Sequence, residues 1–251
     1  MIDVQTTDGI ALLRFARPPA NAIDLGAATA LEEALARVAA ADVRALVLTG
    51  DGGFFSAGLD LKVVPTYGPG EQRAMVMAIN RLLARLYGLP MPTIAAVNGH
   101  ALAGGLVIVL ACDYRLGARG AHRLGLTEAK VAVPYPVAAM TVVESELGPT
   151  VARRLVLLAR HQTSDEALRD GVLDEVTAPD DLVRRARAVA AELAALPREA
   201  YARIKHGLRR QALERIAHVV ATGTDPLVER WLTPETAPAA ARVLDRKPTS
   251  G

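Results

Sequence analysis

Two hydrophobic periods take turns along this chain. A short apolar run, Ile10–Phe15 (IALLRF), is followed by the loop ARPPANAID. Over Leu25–Ala40, Leu31, Leu35 and Val38 then recur at helical spacing, with Glu32, Glu33 and Arg37 opposite them. Asp24 stands where a helix N-cap belongs. Residues 43–49 (VRALVLT) make a β-rich run that ends in GDGG, a strong turn signal. After FFSAGLDL and a Pro/Gly-rich loop through Gly70, residues 71–87 are helical by pattern and LPMP stops them. Residues 93–98 predict a strand that runs through Gly99 into the apolar stretch 101–112. That stretch is about 12 residues long, which suits a buried core helix and falls short of the roughly 20 a bilayer requires. From Pro149 onward the pattern is mostly helical. A short strand is predicted at 172–176, amphipathic helices at 182–196 and 199–221, and a loose ending from Thr233. Strand–helix–strand alternation on short loops predicts an α/β fold, with no internal repeat apparent in the sequence.

Composition narrows the function classes. Of 251 residues, 51% are hydrophobic, enough for a large buried core and too many for a disordered chain. The 29 basic residues against 27 acidic ones give no clustered positive charge of the kind nucleic acid selects. A single cysteine, Cys112, offers neither an intramolecular disulfide nor a CxxC motif. No His/Cys/Asp/Glu cluster suggests a metal. The N-terminus shows no signal peptide, so a cytoplasmic soluble protein is expected.

Three segments carry candidate chemistry. The first is GDGGFFSAGLDL, a glycine-rich turn after a strand, whose backbone amides can point at a ligand or merely make a tight connection. It matches neither the phosphate-loop nor the dinucleotide pattern, and Ser56 lacks the GxSxG elbow. In the second, Ala103-Gly104-Gly105 opens an apolar helix, where unpaired N–H groups suit a developing oxyanion and small residues equally suit close packing. Glu128, in RLGLTEAKVAVPYP, is the third. A carboxyl among Leu, Val, Ala and Pro has its pKa raised by desolvation, whereas a solvated glutamate beside Lys130 would do no chemistry.

Taken together and in order, FSAGLDL, NGHALAGGLVIVLACDYR and LGLTE resemble the crotonase (enoyl-CoA hydratase/isomerase) superfamily. The resemblance runs from RPPANAIDL near residue 20 to TSDEALRDGVLDEV at 163–176. It implies a ClpP/crotonase-like spiral of ββα units with two roughly perpendicular sheets. A core with the acyl-CoA site would span 1–190, and a C-terminal helical region at 191–251 would mediate a homotrimer or hexamer. It also implies that the backbone amides of Leu59 and Gly104 hold a thioester carbonyl. Ala20, Ala22, Ala57, Asp60 and Leu61 would then line the CoA-binding cleft. Coenzyme A would arrive as part of the substrate, with no metal or redox cofactor.

The reaction turns on carboxylates. Hydratases of this superfamily place one glutamate three residues after the second oxyanion glycine and another in a later segment; the first position is Val107 here and the second is Glu128. Hydration is most simply served by two carboxyls, whereas moving a double bond needs one group that takes a proton at C2 and returns it at C4. GLTE is similar to the GLNE of Δ3,Δ2-enoyl-CoA isomerases, so isomerisation of 3-enoyl-CoA to trans-2-enoyl-CoA is the expectation. A 2-enoyl-CoA hydratase of fatty-acid breakdown, a catalytically decayed acyl-CoA-binding protein and a thioester hydrolase are the alternatives. VAVPYPVAAM after Glu128 departs from the hydratases' IPGAGGTQRL and alters the acyl pocket. Among other residues, His100 and His122 are expected to be structural, and Asp113 and Arg115 to pair or cap. Glu144 and Glu146 are placed on a solvated helix face, Glu144 being the one able to enter the cleft. Lys62, Lys205 and Arg209 either meet CoA phosphates or stay solvated.

Overall fold

A computed structural model describes residues 2–245 of the chain. Its elements are β1 (Ile2–Thr7), β2 (Ile10–Phe15), α1 (Leu25–Ala40), β3 (Ala45–Gly50), β4 (Phe54–Ser56), α2 (Pro69–Tyr87), β5 (Thr93–Val97) and β6 (His100–Leu102). Then come α3 (Gly104–Leu110), β7 (Tyr114–Ala118), β8 (Leu124–Gly125), α4 (Val137–Glu146), α5 (Pro149–Ala152) and β9 (His161–Gln162). The chain continues through α6 (Ser164–Arg169), β10 (Glu175–Thr177), α7 (Leu182–Ala194), α8 (Arg198–Leu208), α9 (Arg210–Thr222) and α10 (Thr236–Leu244).

The expected ββα unit recurs as β1–β2–α1, β3–β4–α2, β5–β6–α3 and β7–β8–α4. In the last three units the first strand joins a six-stranded sheet, ordered β1-β2-β3-β5-β7-β10, and the second joins a four-stranded sheet, β4-β6-β8-β9. The chain therefore crosses between sheets at each β–β connection, and these crossings deliver the candidate motifs to one place. The repetition lies in the backbone and is invisible as sequence identity.

Both faces of the large sheet are covered at β2, β3 and β5, which is why these strands read as near-continuous apolar runs. Ala11, Leu13, Leu46, Leu48 and Ala95 face the main core with α1 and α2. Their neighbours Ile10, Leu12, Ala45, Val47, Ile94 and Ala96 pack on Leu182, Ala186, Val189 and Ala190 of α7. Asp24 does cap α1, accepting from the Ala27 N–H at 2.8 Å.

Four expectations need correction. Residues 101–112 are not one helix: 101–102 finish β6, and α3 occupies only Gly104–Leu110. Burial on every side removes the periodicity that would have separated strand from helix. The helix expected over 199–221 breaks at Arg209, whose φ of -95° and ψ of 6° leave the helical region. In place of a strand at 172–176, Val172 and Leu173 are buried in a turn and β10 starts at Glu175. The ending expected to be loose forms α10; its last part, 246–251, lies outside the described residues. Among the described residues no helix is long and apolar enough to cross a membrane.

Candidate active site

The first candidate amide sits where β4 turns back at Ala57-Gly58-Leu59. Ser56 Oγ donates to Asn21 O at 2.8 Å and accepts from the Gly58 N–H at 3.1 Å, fixing the turn. The Ile23 N–H donates to Gly58 O at 2.7 Å and the Asp60 N–H donates to Ile23 O at 2.9 Å. This is the bonding of a parallel bridge between Ile23 and Leu59, in which Leu59's own N–H faces the other way, unengaged by any acceptor among the described residues. Gly58 has φ of +77°, and a Cβ there would lie 2.8 Å from Ala103 Cβ and 2.9 Å from Gly104 N. Only glycine lets the two candidate turns touch.

Ala103 precedes α3 with φ of 50° and ψ of -128°, a conformation strained for an L-residue. It is held by its N–H donating to Gly125 O at 2.7 Å and by its carbonyl accepting from Leu106 and Val107. That strain aims the next amide, Gly104, which as the first residue of the helix has no intrahelical acceptor.

Glu128 follows β8 and opens a short 3-10 turn, Glu128–Val131, closed by Ala132 in the left-handed region at φ of 53°. Its side chain is buried in one apolar cavity with Leu59, Gly104, Val107, Ile108 and Trp231. Loss of hydration pushes the Glu128 pKa up to about 7, while a hydrogen bond from Tyr135 opposes the rise. The Tyr135 hydroxyl donates to Glu128 Oε2, and burial together with the carboxylate holds its own pKa well above the usual phenol range. Glu128 is therefore a buried base poised near neutrality, among groups that offer backbone N–H donors and no second carboxyl.

Leu59, Gly104 and Glu128 thus meet in the fold, and the apolar Val107 lines the same cavity. The residues expected to meet coenzyme A gather at a neighbouring margin outside that cavity. The Ala57 N–H donates to Ala20 O at 2.9 Å, and Arg17 donates to Ala22 O at 2.6 Å and pairs with Asp60 at 2.9 Å. Leu61 packs against the core.

The other residues divide: Glu144, Lys62 and both histidines sit as the sequence suggests, whereas Glu146, Arg115, Asp113, Lys205 and Arg209 do not. Glu144 is exposed and paired with Arg215 at 2.8 Å, so it does not enter the cleft. Glu146 is not solvated; it pairs with Arg115 and Arg209 and accepts from the Tyr87 hydroxyl at 2.7 Å. Arg115 therefore does not pair with Asp113. Asp113 instead binds Lys205 at 2.8 Å and Arg209 at 2.9 Å, burying both cations away from any phosphate. Lys62 stays exposed. His100 accepts from the Arg123 N–H at 3.0 Å and packs at a tilt against the Phe54 ring, while His122 meets the His100 ring edge-on; neither lines the cavity. Among the described residues no cluster of His, Cys, Asp and Glu could hold a metal ion. Sequence reasoning missed Tyr135 and Trp231. The signal for Tyr135 was the PYP that replaces a glycine-rich stretch.

Known proteins resemble this chain in sequence and fold. A family model described as Enoyl-CoA hydratase/isomerase matches residues 5–228. The chain is 29% identical over 219 residues to enoyl-CoA delta isomerase 1, mitochondrial, of Homo sapiens, covering 86% of this chain and 72% of that protein. It is 32% identical over 203 residues to the probable enoyl-CoA hydratase echA17 of Mycobacterium avium, covering 80% of this chain and 78% of that one. In three dimensions it is similar to human mitochondrial delta3-delta2-enoyl-CoA isomerase, with a TM-score of 0.90 at 27% identity over 98% of this chain and 97% of that one. The ladder of ββα units feeding two sheets is accordingly the crotonase fold. With a match that runs through both amide turns and the buried glutamate, the chain belongs to the enoyl-CoA hydratase/isomerase family.

Proposed function

We propose that this chain isomerises 3-enoyl-CoA thioesters to trans-2-enoyl-CoA, with Glu128 as the single proton shuttle. One observation carries this reading: among the described residues, Glu128 is the only carboxylate lining the cavity shared with Leu59 and Gly104, and Val107 is apolar. The two N–H groups donate to the thioester oxygen as it gains charge, a stabilisation worth about 10²–10³ in rate per donor. Glu128 takes the C2 proton, and the C–H electron pair moves into a dienolate that spans the thioester and the former C3–C4 double bond. Return of the same proton to C4 leaves the double bond at C2–C3. The aliphatic wall keeps water from the intermediate. Coenzyme A enters as part of the substrate, and the reaction calls for no resident cofactor.

Purified protein offered 3-enoyl-CoA and, separately, 2-enoyl-CoA tests this, with products followed by mass spectrometry beside Glu128→Gln. Conversion of the 3-enoyl substrate without mass change, lost in the variant, is expected. Gain of one water on the 2-enoyl substrate would make the chain a hydratase with an unrecognised second group. Release of free thiol would make it a thioester hydrolase.

A further inference from the structure

Glu128 has one polar side-chain partner in an otherwise hydrocarbon cavity, the Tyr135 hydroxyl. Among the described residues, the only other polar atom on a lining side chain, the Trp231 Nε1–H, is already committed to Pro134 O at 3.0 Å. Tyr135 is also held in place from a distance. Thr236 Oγ1 donates to Ala132 O at 2.9 Å, Trp231 grips Pro134, and Asp225 Oδ2 accepts from the Val137 N–H at 2.8 Å. Asn80 completes the clamp, accepting from the Ala138 N–H at 2.9 Å and donating to Asp225 at 2.8 Å. Backbone on both sides of Tyr135 is therefore tied to a segment about 90–105 residues further along the chain.

We infer that Tyr135 is a positioning residue for the proton shuttle: its hydroxyl tethers one carboxylate oxygen of Glu128, orienting the group towards the carbon acid and favouring its ionised form. The chemistry of this role rests on the isomerase reading above. Tyr135 keeps its own proton throughout; the proton that moves travels from C2 to Glu128 and on to C4. Its hydroxyl is a donor and not a base, since burial beside a carboxylate disfavours the phenolate. Other charges near the turn lie outside the cavity. Lys130, Glu235 and Arg242 line a groove on the outer side of the turn, and Arg154 is paired with Asp170. They form a background common to the parent and to variants at 135.

The full-length parent, Tyr135→Phe, Tyr135→Leu and Glu128→Gln test the inference with two readouts. In the isomerase assay from about pH 5 to about pH 9, Tyr135→Phe is expected to keep KM within about twofold and to lose about tenfold or more in kcat at neutral pH. Its acid limb should move up by about one pH unit or more, so that much of the loss is recovered at high pH. The second readout needs no substrate: NMR of protein labelled at the glutamate side-chain carboxyls, with the Glu128 signal assigned by its absence in Glu128→Gln. The Glu128 titration midpoint should rise by the same amount in both hydroxyl-free variants. A folded variant whose Glu128 midpoint is unmoved overturns the inference, even if its activity has dropped. A parent without isomerase activity but with the displaced midpoints would sink the isomerase reading and leave the tether standing.

Discussion

A Cβ added at Gly105 would lie 2.3 Å from the Ser56 carbonyl oxygen, whereas one added at Gly104 meets nothing nearer than Gly58 Cα at 3.8 Å. The two glycines therefore answer to different demands, packing at 105 and, on the isomerase reading, substrate at 104. Gly105→Ala forces backbone apart and is expected to cost about 1–3 kcal/mol in denaturant unfolding. Gly104→Ala should fold with unchanged or slightly higher Tm, since alanine favours helix over glycine, yet lose about 10²-fold or more in kcat/KM, about what a displaced donor costs. Equal Tm losses in both variants would remove this distinction. At this scale much of the site was legible in advance. Leu59, Gly104 and Glu128 were picked out by motifs that resemble one superfamily, and the structure brings all three to one cavity. Tyr135 was not, because its hydroxyl reaches Glu128 only through the left-handed turn at Ala132 and the clamp on Pro134, neither of which leaves a periodic trace.

At the scale of elements, the break between α8 and α9 has a physical cause. Arg209 leaves helical geometry and turns inward, where its guanidinium lies 3.9 Å above the Tyr87 ring, 2.9 Å from Asp113 and 3.1 Å from Tyr87 O. Lys205 on the preceding turn reaches the same carboxylate. With Arg115 and Glu146 this makes three buried cations against two half-buried carboxylates, fastening the C-terminal helices beneath the end of α3. Removing one member leaves unpaired charge in a dry place, so Asp113→Ala is expected to lower unfolding stability by about 3–5 kcal/mol in urea titration at neutral pH. A loss below about 1 kcal/mol would mean that water reaches the cluster. The α/β alternation and the main helices were readable because each has one period. The break was not readable, because an amphipathic pattern runs through Arg209 unchanged and Asp113 lies far from it in sequence.

For the whole molecule, a buried base is a liability as well as an asset. Glu128 binds its proton more tightly folded, near pH 7, than unfolded, near 4.5, so its contribution is fully present below about pH 4.5 and lost as pH rises through 7. Glu128→Gln should therefore be more stable than the parent at pH 8, by up to about 3 kcal/mol, with the gap closing towards pH 4. Coincident unfolding curves at both pH values would show that the carboxyl is hydrated in the folded state. The clamp formed by Asp225, Trp231 and Thr236 places a different constraint on the molecule, one of time. These residues leave the ribosome after both amide turns and Glu128, yet they hold the loop beside Glu128 in shape. A nascent or truncated chain ending before residue 225 would carry both amide turns and the glutamate without an assembled cavity. Competence would thus wait for residues 225–236, so that a chain stopped short of them presents the amides and the carboxyl without the pocket that unites them.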